Sequence, residues 1–179
     1  MRRRLRCALL LAVAALTAPL AAAEVVHVSS LARDGKVWVS FELQDGFSPE
    51  VRDVIHSGLP TTFTYDVELR RNMPFWPDRT LASATIAVSV TYDNLTRRHQ
   101  LSRVFDGRLE GNLVTEDEAD VRRWLTVFER LPLFATAALE ANTEYYVQVR
   151  ARTEPHDAWF FWPWDRGMAS ANANFTFIP

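Results

Sequence analysis

Thr61-Thr62-Phe63-Thr64-Tyr65-Asp66-Val67-Glu68-Leu69-Arg70-Arg71 decides the fold. Phe63, Tyr65, Val67 and Leu69 share one face, while Thr64, Asp66, Glu68 and Arg70 share the other. A period of two over so many residues is a half-buried strand. Upstream, Pro60 blocks helix continuation, and Gly58 suits the left-handed residue that ends a short helix. Ser48 is placed to cap that helix, Pro49 fits its first turn, and Val51, Val54 and Ile55 form its apolar stripe. Before it, residues 36–43 alternate again: Val37, Val39, Phe41 and Leu43 point inward, with Trp38 as the exception on the polar face. Asp34-Gly35, after the apolar-rich 25–31, reads as a hairpin turn.

Downstream, residues 72–78 (NMPFWPD) hold two prolines and form a loop. A long strand over 80–92 follows, with Ile86, Val88, Val90 and Tyr92 on its core face. Asp93-Asn94 turns the chain into a returning strand over 99–105, and a polar turn is expected over 106–111. Thr115 to Glu118 has the form of a capping box. Behind it Val121, Trp124, Leu125 and Phe128 recur at helical spacing, with Pro132 as the expected stop. Strands over 144–153 and 172–178 complete the chain. Most elements are strands, and they do not alternate with helices as a parallel sheet requires. The expected class is mainly β: an antiparallel, immunoglobulin- or fibronectin-like sandwich with two helical insertions, folded as one domain over 24–179. The stretch LEANTEYYVQVRA (139–151) sharpens this. Its leucine before a turn and its tyrosine at a strand start match the tyrosine corner of fibronectin-type sandwiches, with Tyr145 returning its hydroxyl to upstream backbone.

The first 23 residues carry an address. Arg2, Arg3, Arg4 and Arg6 precede an uncharged run from Cys7 ending in Ala21-Ala22-Ala23, the form of a secretory leader cleaved before Glu24. The run is short for a membrane span, so no integral span and a periplasmic location are expected. Cleavage removes 4 of 20 basic residues and none of 22 acidic ones, leaving a net charge of −6. Such a surface disfavours nucleic acid and anionic lipid. Cys7, the one cysteine, precedes the apolar core instead of following it, so it is no lipidation site. It leaves with the leader, and with it any disulfide, thiol nucleophile or thiolate ligand.

Ser57-Gly58-Leu59-Pro60-Thr61-Thr62-Phe63-Thr64-Tyr65, the Glu68-Leu69-Arg70-Arg71 strand end with Phe75-Trp76 and Asp78, and Tyr92-Asp93-Asn94-Leu95 together resemble exported bacterial proteins grouped as domain-of-unknown-function family 4390. The resemblance spans nearly the whole mature chain. Pro77 departs from the family pattern, in which an aromatic residue and an aspartate directly follow the first tryptophan. What it implies is an exported domain, and it brings no activity, catalytic residue or cofactor.

The remaining chemistry is sparse. His27, His56, His99 and His156 show no metal-ligand spacing, and no HExxH, GxSxG or phosphate loop occurs. The acidic residues 116–120 lack the glycine turn and spaced oxygens of a calcium loop and suit a helix N-terminus. Asp66, Glu68 and Arg70 are expected to pair across strands with a basic neighbour such as Arg98. No catalytic residue and no cofactor is expected; an enzyme would need a cleft built from Asp78, His156, Asp157 and Asp165. The least ordinary feature is Trp159-Phe160-Phe161-Trp162-Pro163-Trp164. It reads as a plug over one end of the sandwich, against Phe75 and Trp76 of the other proline-rich loop, as a recognition surface, or as a membrane-interface insertion, against which the acidic flanks and the net charge of −6 argue. The candidate binding residues are therefore Phe75, Trp76, His156, Trp159, Phe160, Trp162 and Trp164. The leading expectation is a non-catalytic envelope module that binds another protein, and the alternative is a carbohydrate- or peptidoglycan-binding module.

Overall fold

A computed structural model describes residues 25–155 and 169–179. The expected leader (1–23) and His156, Trp159, Phe160, Trp162 and Trp164 lie outside the described residues. The elements run β1 (Val25–Arg33), β2 (Lys36–Gln44), α1 (Pro49–His56), β3 (Thr61–Arg71), β4 (Arg79–Asp93) and β5 (Arg98–Phe105). They continue with β6 (Arg108–Thr115), α2 (Glu118–Thr126), β7 (Val127–Ala135), β8 (Thr143–Pro155) and β9 (Ala169–Phe177). Two antiparallel sheets result, ordered β1-β2-β7 and β6-β5-β4-β3-β8-β9. The chain is an antiparallel β-sandwich with two helices.

β3 is the centre of the larger sheet. Its inward residues Phe63, Tyr65, Val67 and Leu69 are buried, against Val37, Val39 and Phe41 of β2 in one common core. The hairpins follow local chemistry: Asp34-Gly35 and Asp106-Gly107 both take positive φ at two successive residues, the requirement of a tight two-residue turn. Gly58 ends α1 at φ +86°, where a side chain would be strained, and the Ser48 hydroxyl accepts from Val51 N–H at the other end. Tyr145 is buried, and its hydroxyl accepts a 2.8 Å bond from the Glu140 N–H, forming the tyrosine corner.

Several expectations need correction. The cap of α2 is Asp117, whose carboxylate accepts from Ala119 N–H at 2.7 Å; Thr115 instead bonds Asp117 N–H and Asp120. The helix stops at Thr126, so Phe128 belongs to β7. Two remote side chains take carbonyls that the helix end leaves open: Tyr65 donates to Leu125 O and Arg103 to Trp124 O, while the Thr126 hydroxyl shares Arg122 O within the last turn. Pro132 ends no helix either. It sits in β7, an edge strand with no second neighbour to demand its missing N–H. The polar turn is only Asp106-Gly107, because residues 108–115 pair with β5 as a further strand.

His99 is buried against the rings of His56 and Tyr92, at 5.6 and 4.7 Å, and these two rings also touch each other. Burial, and then the neighbouring His56, hold its pKa below the ordinary value. Arg103 is likewise enclosed, stacked 4.5 Å over Trp124 and 4.6 Å over Phe128, which lets a cation sit within an aromatic cage.

Replacing Tyr145 by Phe strands the Glu140 N–H. The change is expected to lower unfolding free energy by about 1–3 kcal/mol while the circular-dichroism spectrum stays β-rich. An unchanged denaturant midpoint would show that the corner bond contributes nothing.

Candidate functional site

Among the described residues, the loop between β3 and β4 (72–78) carries the most unusual surface. Trp76 N–H bonds Met73 O at 3.2 Å, closing a turn with Pro74 at its second position and Phe75 at its third. Phe75 has φ +70°, a conformation for which glycine or asparagine is ordinarily chosen. Holding a bulky L-residue there costs about 1–3 kcal/mol. Packing does not offset it, since Phe75 is 103% and Trp76 75% exposed. The other half of the expected plug, the aromatic run 159–164, lies outside the described residues.

The base of the loop is firmly tied down. Asp78 accepts from Met73 N–H at 3.2 Å through one carboxylate oxygen and from the Tyr146 hydroxyl at 2.6 Å through the other. Arg70 donates to the Asp78 carbonyl at 3.4 Å and lies over the Tyr146 ring. The Tyr146 hydroxyl and the Met73 N–H hold the Asp78 carboxyl below its ordinary pKa, whereas burial and Asp78 push the Tyr146 phenol up. Pro77 thus leaves Asp78 with a definite geometry. Tyr146 can reach it because β8 pairs with β3 in a register that sets Tyr146 opposite Arg70.

This anchor continues as a polar ladder over the outer face. Arg70 bonds Gln148 and faces Glu68; Arg150 bonds Gln148 and Glu68; Arg152 meets Asp66 at 2.6 Å. The basic partners that reach across strands come from β8. The expected pairing with Arg98 does not form, since Arg98 sits on β5 and binds Glu116. Beside the root of the loop lies a groove of about 320 Å³, lined by Asn72, Glu144 and Tyr146 together with Asn174 and Thr176 of β9.

Residues 21–157 match the family model described as Domain of unknown function (DUF4390). The chain belongs to this family. No curated protein and no solved structure matches it. In this DUF4390 protein the match takes in the aromatic loop, Asp78 and Tyr146, whereas β9 with Asn174 and Thr176 lies beyond it.

Of the seven candidate binding residues, the structure describes Phe75 and Trp76 and places them side by side at one loop tip. Asp78 was weighed only as part of a cleft, and here its carboxylate is engaged in anchoring. Among the described residues no group of three or more His, Asp or Glu side chains is arranged to hold a metal ion. Tyr146 and the groove gave no signal in the sequence, because both depend on strand register.

The Asp78 carboxyl has a lowered pKa in the folded state, so its anchoring contribution is present above the ordinary value of 3.8 and is lost as pH falls below it. Asp78→Asn is expected to speed hydrogen exchange of the Met73 amide at neutral pH, and strong acid is expected to do the same to the unaltered protein. Equal exchange in variant and parent at pH 7 would contradict the anchoring role.

Proposed function

We propose that this protein is a non-catalytic, exported module of the bacterial envelope that docks onto another protein through Phe75 and Trp76. The observation that carries this reading is a strained phenylalanine, fully exposed beside an exposed tryptophan, on a loop whose base is fixed by three hydrogen bonds and whose tip is closed by a fourth. Two exposed aromatic rings on an anchored loop suit the pocket of a protein partner, where aromatic anchors supply most of the binding energy. A preformed loop also lowers the entropy lost on docking. Export rests on the arginine-rich leader and its alanine cleavage site. No helix among the described residues is long and apolar enough to cross a membrane.

A second reading, carbohydrate binding, draws on the groove beside the loop. Asn72, Asn174, Glu144 and Thr176 offer amide, carboxylate and hydroxyl groups of the kind that bond sugar hydroxyls.

The two readings separate cleanly. Phe75→Asn combined with Trp76→Ser is expected to leave stability within about 0.5 kcal/mol of the parent or above it, because asparagine relieves the left-handed strain. The same double variant is expected to lose capture of its partner from native envelope extract. Retained capture would refute the protein-docking reading. Binding of peptidoglycan fragments that Asn174→Ala abolishes and the loop variant spares would establish the groove reading in its place.

A further inference from the structure

A second surface, on the opposite sheet, carries its own chemistry. The register of β1 with β2 sets Ser29 opposite Ser40 and Leu31 opposite Trp38. Together with Arg130 of β7 they line a groove of about 570 Å³, within the range of small-ligand sites. Its floor is apolar: Leu31 is 58% exposed, and the half-buried Trp38 is fixed by donation of its indole N–H to Arg33 O at 3.2 Å. Its head is cationic. The pairing of β2 with β7 slips between Val39 and Phe41, and at this irregularity Arg130 takes φ +48° while its N–H donates to the Ser40 hydroxyl at 2.9 Å. Bulges of this kind re-aim a side chain, and a left-handed arginine is kept at a cost. Among the described residues the Arg130 guanidinium is in no ion pair, whereas Arg33 faces its neighbour Asp34.

We propose that this groove binds a small amphipathic anion, its apolar body lying on Leu31 and Trp38 and its anionic head paired with Arg130. Charge complementarity selects this class. A free guanidinium fork takes a carboxylate or sulfonate through two parallel hydrogen bonds, and the Ser29 and Ser40 hydroxyls lie within the same groove. The site is independent of the Phe75–Trp76 loop, which the larger sheet carries.

Anilinonaphthalene sulfonate, an aromatic anion, tests the proposal by fluorescence titration of the folded protein. Saturable binding at one site is expected, weakened about tenfold or more by Arg130→Asn, the size of one lost charge-assisted hydrogen bond. Asparagine accepts the left-handed backbone, so the variant is expected to melt with the parent. Neutral phenylnaphthylamine should bind at least about tenfold more weakly than the sulfonate, by the same arithmetic. Leu31→Ser should weaken both probes, and the Phe75→Asn, Trp76→Ser variant should bind as the parent does. Non-saturable binding, equal binding of the two probes, or loss confined to the loop variant would overturn the proposal.

Discussion

The hydroxyl of Tyr65 donates a 2.6 Å hydrogen bond to the carbonyl of Leu125, and both residues are completely buried. This bond ties three parts of the molecule together at one point. Tyr65 belongs to the central strand of the larger sheet, Leu125 lies in the last turn of α2, and β7 of the smaller sheet begins two residues later. Phe41 and Phe128 enclose the same ring, stacked on each other at 4.5 Å and lying 5.1 and 4.9 Å from Tyr65. A helix terminus inside a core needs partners for its open carbonyls, and the hydrophobic contacts alone cannot supply them. The sheets face each other in this register because the polar end of α2 is satisfied there. Burying such an acceptor unpaired costs more than a typical hydrogen bond gains.

From that junction the frame extends outward to the loop. β3 passes from Tyr65 to Arg70, β8 lies beside it over its whole length, and Tyr146 emerges opposite Arg70 to hold Asp78. The Phe75–Trp76 tip is therefore braced by the most deeply packed strand among the described residues. Rigid scaffolds with binding groups on anchored loops are a recurrent way of fixing recognition geometry.

The strands around Phe63, Val39 and Val88 were legible in the sequence because each is buried on one face only, so alternation is strict. Tyr145 was legible too, from a local pattern that needs no knowledge of partners. β6 was not: Leu109 and Val114 are exposed, Gly111 interrupts the run, and an edge strand of this kind has little burial to imprint a period. The end of α2 misled for a specific reason. Phe128 falls at helical spacing from Val121, Trp124 and Leu125, and the groups that satisfy the helix end before it, the side chains of Tyr65 and Arg103, are remote in sequence. Pro132 compounded the error, since its tolerance depends on β7 being an edge. At the candidate site the aromatic pair was visible as composition, but its exposure, the strain at Phe75 and the Tyr146 anchor all follow from register between distant strands. The Arg130 groove is hidden for the same cause, as the helical spacing of Phe128 masks the start of β7.

The account rests on the loop tip being a contact surface and the sandwich behind it a support. A photo-crosslinking side chain placed at position 75 in the native envelope tests this most directly, with position 95 as the control, since Leu95 is 95% exposed on a different turn. The account predicts one discrete crosslinked protein from position 75 and none from position 95. No adduct from 75, or the same adducts from both positions, would contradict it.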